Sequence, residues 1–175
     1  GEGERVKTVL SENDMARTIR RMAHEILERN SGPFLLLGIP TRGVSIANLI
    51  FENIESISPG SASLGQLDIG LFRDDRDKRP AKAISETVIP GSVEDQTVVL
   101  VDDVLFSGRT IRAALDALSS FGRPAEVQLA VLVDRGHRQL PIRADFVGKN
   151  IPTSLTENVS VRTNDVDGEN LVVIA

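Results

Sequence analysis

Residues 98–110 read VVLVDDVLFSGRT, and this stretch carries the strongest indication of the fold. The four apolar residues at its start predict a strand that is buried on both faces. Two carboxylates, Asp102 and Asp103, follow that strand, and Ser107 to Thr110 predict the first turn of a helix. A strand, a loop and a helix in this order are typical of an α/β sheet, which binds ligands at the carboxyl ends of its strands.

The polar groups of the same stretch suit a sugar phosphate. The N–H groups and the positive dipole at a helix start favour a phosphate monoester, and the Ser107 and Thr110 hydroxyls add donors. Gly108 permits close approach of the backbone to a ligand. Asp102 and Asp103 offer acceptors for sugar hydroxyls or a hydrated metal. A ribose 5-phosphate carries both features at about that separation.

The acidic pair and the helix start of this stretch, taken separately, each occur in other kinds of site. Asp-Asp after a strand occurs in Walker B elements, in phosphoryl-transfer sites and at ordinary strand ends, and Ser-Gly-Arg-Thr is an ordinary helix start. The chain has no G-x-x-x-x-G-K-[ST] motif, since Gly148-Lys149 is followed by Asn150. A P-loop ATPase is therefore excluded, and the two halves at this spacing are much more specific together.

The pattern on either side of this stretch alternates between strands and helices. Helical spacing of apolar residues from Ser11 to Asn30 predicts a helix capped by Ser11, and Phe34 to Ile39 predict a buried strand. Further helices are predicted after Gly43 and Gly108, and further strands at 67–71, 126–133, 145–151, 159–162 and 171–174. This order predicts an α/β fold with a mostly parallel sheet flanked by helices.

Composition limits the chemistry available to the chain. It has 175 residues, a formal charge of −5, and no Cys, Trp or Tyr, which excludes disulfides, thiolate metal sites, thiol nucleophiles and rows of stacking rings. The net charge does not attract nucleic acid, although a local basic patch remains possible. No apolar run approaches the roughly 20 residues of a membrane span, and no signal-like segment begins the chain, so we expect a cytoplasmic protein.

All thirteen positions from 98 to 110 fit the phosphoribosyl diphosphate (PRPP) motif, and the chain here resembles the type I phosphoribosyltransferases. Residues 38–43, GIPTRG, are similar to that family's pyrophosphate loop. Segments 71–75, 131–138, 140–145 and 147–154 resemble its bifunctional members, which are pyrimidine-operon attenuation regulators and uracil phosphoribosyltransferases. The resemblance runs from about Ser11 to Val173. Phe106 and Ser107 stand where the family often has Tyr and Thr.

The resemblance implies a fold and a reaction. The fold is that of a type I phosphoribosyltransferase, with residues 5–175 as a single domain. Residues 134–175 contribute a small C-terminal region for base recognition, here called the hood. The implied reaction is uracil + PRPP → UMP + pyrophosphate, with Mg²⁺ bound through PRPP rather than by direct protein ligands. A purine phosphoribosyltransferase of nucleotide salvage, without RNA binding, is the alternative because the PRPP motif is shared.

The resemblance also implies the roles of particular residues. Asp102 and Asp103 are the expected catalytic pair and stay ionised beside the ribose. PRPP and UMP are expected to contact Thr41, Arg42, Asp102, Asp103, Val104, Leu105, Phe106, Ser107, Gly108, Arg109 and Thr110. Residues 73–96 are the expected mobile lid, with Arg73, Arg79 and Lys82 as its cations. Asp134, Arg135 and backbone groups at Val159 and Val161 are the candidates for base recognition.

A second function implied by the resemblance is binding of the pyr operon mRNA leader, strengthened by UMP. The sequence offers basic residues for it on the first predicted helix and in the segment after Val133. The candidates are Arg20, His24, Arg138, Arg143 and Lys149. Because the chain has few aromatic rings, RNA would be bound through cationic, imidazole and backbone groups. A homodimer or a larger homo-oligomer is also implied.

Overall fold

Two β-sheets organise the chain in the computed structural model, which describes residues 6–73 and 86–175. The strands are β1 (Lys7–Leu10), β2 (Phe34–Gly38), β3 (Ala62–Gln66), β4 (Thr97–Leu105), β5 (Glu126–Asp134), β6 (Phe146–Asn150), β7 (Val159–Arg162) and β8 (Leu171–Ile174). The helices are α1 (Glu12–Arg29), α2 (Arg42–Ile57), α3 (Arg109–Ser119) and the short α4 (Asn164–Asp167). In this part of the chain no helix is both long and apolar enough to cross a membrane.

The central sheet has five strands in the order β3-β2-β4-β5-β6, and every neighbouring pair is parallel. The predicted α/β class is therefore confirmed. Side chains of alternate residues enter two separate cores, since Leu36 and Val99 belong to the core with α1 and α2 whereas Leu37 and Leu100 belong to the core with α3. Burial on both faces explains why the central strands read as continuous apolar runs.

The first helix has the predicted cap. The Ser11 hydroxyl accepts from the Asp14 N–H at 3.2 Å, and the Asp14 carboxylate accepts from the Ser11 N–H at 3.1 Å. This reciprocal arrangement is a capping box. Met15, Ile19, Met22 and Ile26 are buried at helical spacing, so α1 packs one apolar face against the central sheet.

The predicted strand at 67–71 is wrong. The edge strand β3 lies just before it, at Ala62–Gln66, and Gly70–Phe72 form a 3-10 turn. Leu67 and Ile69 are buried, as their alternation suggested, but Leu71 is 90% exposed. An edge strand with one neighbour needs no continuous apolar run, which is why the Ala-Ser-Leu-Gly-Gln segment carries little strand signal.

The hood residues divide between the two sheets. Strand β6 extends the central sheet through its pairing with β5, whereas β7 and β8 join β1 in a three-stranded antiparallel sheet of order β1-β8-β7. We call this second sheet the small sheet. The contribution of β1 was not predicted, because its partner β8 lies at the other end of the chain. Leu10, Val161 and Val172 join the core of α1 and α2.

Candidate active site

The two carboxylates lie within β4, which runs four residues beyond the predicted apolar strand, from Asp102 to Leu105. Pairing with β2 ends at Val101, whereas pairing with β5 continues to Leu105. Asp102 and Asp103 therefore lie where one neighbouring strand has ended and a crevice opens in the sheet. Such a crevice at the carboxyl ends of parallel strands is the usual ligand position in this fold class.

The two carboxylates have different surroundings. Asp102 is 7% exposed and accepts a hydrogen bond from the Asp103 N–H at 2.8 Å. Burial, and then the charge of Asp103, raise the pKa of Asp102 well above its ordinary value, and the charge of Arg73 opposes this shift. Asp103 is half-buried and accepts from the Val104 N–H at 2.8 Å. Burial thus disfavours the charged form of Asp102 beside the more exposed Asp103.

The predicted 5-phosphate segment, Ser107 to Thr110, runs into the first turn of α3. Gly108 is the N-cap residue with φ 93°, in the left-handed region that favours glycine. The N-terminus of α3 has no side-chain cap from Gly108. The Ser107 hydroxyl accepts a hydrogen bond from the Arg109 N–H at 3.2 Å. N–H groups at a helix start, with a hydroxyl beside them, can bind a phosphate monoester.

Residues 139–142 contact this loop and stabilise it. The Ser107 carbonyl accepts from the N–H groups of Gln139 and Leu140, at 2.9 and 3.1 Å. The Arg109 Nε donates to the Gln139 side-chain oxygen at 2.9 Å. A Cβ on Gly108 would lie 3.0 Å from the Ile142 side chain. Gln139 was missed by sequence reasoning, since no motif marks a residue that acts through a contact thirty positions away.

The predicted pyrophosphate loop lies tightly against β4. The Ile39 N–H donates to the Val101 carbonyl at 2.9 Å, and the Pro40–Thr41 peptide bond is cis. A Cβ on Gly43 would lie 2.7 Å from the Val101 carbonyl oxygen and 3.2 Å from the Asp102 carboxylate. Only glycine allows this approach, and it brings the start of α2 to the acidic pair.

Two carboxylates from α4 reach the same helix start. The Arg42 guanidinium donates to the Asp167 carboxylate through Nε at 3.1 Å and NH2 at 2.8 Å, and the Ser45 hydroxyl donates to Asp165 at 2.7 Å. The bond from Arg42 lowers the pKa of Asp167. The bond to Asp167 raises the pKa of Arg42, and the charge of Asp103 adds to that shift. Neither aspartate was predicted, because each lies about 120 residues from its partner.

The base-recognition candidates lie at the ends of β5 and along β7. Asp134 accepts from the Gly136 N–H at 3.0 Å and from Arg138. Arg135 is buried, donates to the carbonyls of Ser154 and Glu157, and stacks on the Phe106 ring with its guanidinium carbon 4.3 Å from the ring centre. The guanidinium of Arg135 thus contacts two backbone carbonyls and one aromatic ring of the protein.

The other two base candidates contribute backbone rather than side chains. Val161 is buried and Val159 packs against the same core. Strand β7 is an edge of the small sheet, so within the described residues one side of its backbone has no strand partner. Strand β7 also approaches β4. The role of Val159 and Val161 in base recognition stays a prediction.

The RNA candidates lie on α1, near β6 and in the loop after β5. Arg20 and His24 are exposed on α1, where Arg20 donates to Asn53 of α2 and His24 lines a groove of about 560 Å³ between the ends of α1 and α2. Arg143 and Lys149 are exposed elsewhere, near β6. Arg138 donates to the carbonyls of Phe106 and Ile142 and to the Asp134 carboxylate, so it stabilises the loop after β5.

The predicted lid is described only at its ends. Arg73 follows the 3-10 turn and is exposed, whereas Arg79 and Lys82 lie outside the described residues. Beyond the gap, Val88 forms an antiparallel bridge with Gln66, and the Thr87 hydroxyl accepts from the Asp68 N–H at 2.9 Å. These contacts join the base of the segment to the end of β3.

A metal site made by protein alone is not found among residues 6–73 and 86–175, where no three acidic or histidine side chains gather around one point. The donors near the crevice are the carboxylates of Asp102 and Asp103, which are hard oxygen ligands of the kind that Mg²⁺ accepts. Two carboxylates fit an ion that takes its remaining ligands from a substrate and water.

Comparison with known proteins gives one family. The phosphoribosyl transferase domain model matches residues 5–167. The bifunctional protein PyrR of Leifsonia xyli subsp. xyli is 53% identical over 175 residues, which cover 96% of each chain. The PyrR of Streptomyces coelicolor is 54% identical over 174 residues, 98% of this chain and 90% of its own.

Solved structures agree on the fold. The hypoxanthine phosphoribosyltransferase of Trypanosoma cruzi has a TM-score of 0.72 at 17% identity, with 96% of this chain and 95% of that chain covered. A hypoxanthine-guanine phosphoribosyltransferase of Bacillus anthracis has a TM-score of 0.72 at 14% identity, with coverage of 98% and 99%. At such identities the likeness shows the fold alone.

Proposed function

The chain belongs to the phosphoribosyltransferase family and, within it, to the bifunctional PyrR proteins, and we propose that it carries two activities at one nucleotide site. The first is uracil phosphoribosyltransferase, which forms UMP and pyrophosphate from uracil and PRPP. The second is UMP-responsive binding of the pyr operon mRNA leader. The observation that carries the enzymatic proposal is the position of Asp102 and Asp103, between the helix start at Gly108 and the Arg42 loop.

Ribose and phosphate are bound by consecutive parts of the β4–α3 connection. Asp103 and Asp102 accept hydrogen bonds from the 2- and 3-hydroxyls, and the loop from Ser107 to Thr110 binds the 5-phosphate through N–H and hydroxyl donors. Departure of pyrophosphate breaks the C1–O bond and leaves positive charge on the anomeric carbon, which the negative charge of the acidic pair stabilises. N1 of uracil forms the new bond to that carbon and loses its proton to water. Positioning and charge stabilisation then supply most of the rate, and no covalent nucleophile is needed.

The leaving group is bound by the loop at the start of α2. Arg42 presents a planar guanidinium that remains charged, which suits a diphosphate. Asp102 and Asp103 could bind Mg²⁺ that arrives with PRPP, and such an ion would neutralise charge on the leaving group. Thr41 and, from the lid, Arg73 are the further candidates for this part of the site. Closure of residues 73–96 over PRPP would exclude water and prevent hydrolysis.

The base lies between the end of β4 and the hood. Backbone groups of β7 near Val159 and Val161 would then bind the uracil amide edge. This is supported by the position of β7 at the edge of the small sheet, because strand N–H and C=O groups match the donors and acceptors of uracil. Arg135 supports this region through the carbonyls of Ser154 and Glu157 rather than by pointing at the ligand.

A direct assay of base choice tests the enzymatic proposal. Purified protein with PRPP and Mg²⁺ is expected to convert radiolabelled uracil to UMP and to leave hypoxanthine and guanine unchanged. Conversion of a purine with no conversion of uracil would favour the alternative, a purine phosphoribosyltransferase. The same assay with Mg²⁺ removed by chelation is expected to give no UMP.

The RNA activity rests on family membership and on exposed cations. Lys149 and Arg143 lie on the β6 side of the molecule, and Arg20 and His24 lie on α1. A homodimer would double the number of these exposed cations in one assembly, although each chain has a net charge of −5. Contacts between such cations and RNA phosphates give a binding affinity that falls as the salt concentration rises.

Loss of the exposed cations is expected to separate the two activities. The double variant Arg143→Ala/Lys149→Ala should weaken binding of the pyr leader RNA by about tenfold and reduce the salt slope by roughly one to two, with uracil conversion unchanged. Arg138 is left in place because its contacts hold the loop after β5.

The matched control for this variant is Arg123→Ala, which removes an exposed cation in the turn between α3 and β5. It should leave both RNA binding and catalysis unchanged. Binding of leader RNA by the double variant at wild-type affinity, measured by filter binding with and without UMP, would count against this surface.

A further inference from the structure

Arg42 and Asp167 form a side-on ion pair between the pyrophosphate loop and the hood. Asp167 accepts from Nε and NH2 of Arg42, at 3.1 and 2.8 Å, and the two side chains are 31% and 20% exposed. The same carboxylate accepts from the Thr163 N–H at 2.8 Å, which joins it to the end of β7. The bond from the Thr163 N–H therefore orients the carboxylate independently of Arg42.

The guanidinium has five N–H donors in one plane, and a side-on pair uses one edge of that plane. The remaining nitrogen, NH1, has no hydrogen-bond partner among residues 6–73 and 86–175. The next residue, Gly43, packs so closely on β4 that a Cβ there would lie 3.2 Å from the Asp102 carboxylate. The charges of Asp103 and Asp165 also raise the pKa of Arg42. Arg42 thus lies in the neighbourhood of the acidic pair while one nitrogen of its guanidinium is left for a ligand.

We propose that Asp167 is a positioning residue for the diphosphate, which holds the Arg42 guanidinium so that its free edge faces the leaving group. This inference rests on the proposed transferase function. Its consequence is that one short segment, β7 with α4, serves both substrates. It offers backbone groups to the base, and it positions the Arg42 guanidinium for pyrophosphate. A second contact, from the Ser45 hydroxyl to Asp165 at 2.7 Å, keeps α4 against the start of α2.

The variant Asp167→Asn removes the charge and keeps an acceptor for the Thr163 N–H. We expect the KM for PRPP and the inhibition constant of pyrophosphate to rise about tenfold, because a charge-assisted pair of bonds is lost. The KM for uracil should change less than twofold. A purely structural role would move the constants of both substrates together.

A double-mutant cycle with Arg42→Gln isolates the route of the effect. If Asp167 acts through Arg42, then adding Asp167→Asn to Arg42→Gln should change the KM for PRPP by less than twofold. An effect of full size in that background, or an unchanged KM for PRPP in Asp167→Asn alone, would overturn the proposal. Should Asp167→Asn fail to fold, Asp167→Glu replaces it, with a smaller rise that should also vanish without Arg42.

The control is Glu169→Gln, which breaks the Arg162–Glu169 ion pair of the same hood segment, at 2.9 Å, without touching α2. It should leave every constant unchanged. Titration of each variant with magnesium pyrophosphate by calorimetry keeps the test independent of the base used. Absence of uracil conversion by the unmodified chain would defeat the proposed function, whereas pyrophosphate affinity would still decide the role of Asp167.

Discussion

Replacing Asp103 by Asn is expected to lower the rate of UMP formation roughly tenfold or more while the protein keeps its fold. Asn retains the acceptor for the Val104 N–H but removes the charge beside the developing cation. Arg109→Ala is expected to lower the same rate roughly as much, since Arg109 begins α3 and is joined to Gln139 behind the phosphate loop.

The measurement is kcat/KM for PRPP, with circular dichroism spectra and melting temperatures recorded on the same samples. Asp116→Asn is the matched control, because Asp116 is an exposed carboxylate further along α3. It should behave as the unmodified chain does. Turnover close to wild type in both Asp103→Asn and Arg109→Ala would show that the site has been assigned to the wrong residues.

A single methyl group at position 43 is expected to have a still larger effect. In Gly43→Ala the new Cβ would lie 2.7 Å from the Val101 carbonyl oxygen, closer than such atoms approach, so the loop must move away from β4. Displacement of Arg42 by about 1 Å is expected to lower kcat/KM about a hundredfold. Overpacking should also cost about 1–3 kcal/mol of stability, or some 2–4 °C of melting temperature for each kcal/mol.

Gly32→Ala supplies the comparison for that variant. Gly32 lies in the turn between α1 and β2, and a Cβ there would meet nothing within 4 Å. Its activity and melting temperature should match those of the unmodified chain. If Gly43→Ala were as active as Gly32→Ala, the close packing of the pyrophosphate loop on β4 would not be needed for catalysis.

Local signals predicted the fold where the determining interactions are themselves local. The cap at Ser11 and the helix behind it depend on residues three and four apart, and the buried strands β2, β4 and β5 depend on apolar runs. Strands β1 and β3 lie at sheet edges with weak patterns, so they were missed or displaced. A pairing such as β1 with β8 is decided by residues that the intervening chain brings together.

Within the candidate site the same distinction holds. Asp102, Asp103 and the loop from Ser107 to Thr110 belong to one continuous strand–loop–helix unit, which is why a motif could identify them. Gln139 and Asp167 act through contacts with Arg109 and Arg42, and nothing in their immediate sequence marks them. The sequence also did not reveal that Arg135 and Arg138 donate to protein carbonyls.

The sequence by itself determined which ligand class the segment 98–110 suits. Its acids, its hydroxyls and its glycine-containing helix start are spaced as the hydroxyls and phosphate of a ribose 5-phosphate are. Tertiary structure decided the pKa values and the orientations of the side chains in the site. Burial raises the pKa of Asp102, and Asp167 orients the guanidinium of Arg42 from 125 positions away. The physical reason is that dielectric environment and hydrogen-bond geometry depend on which distant segments pack together, whereas residue type and spacing are written along the chain.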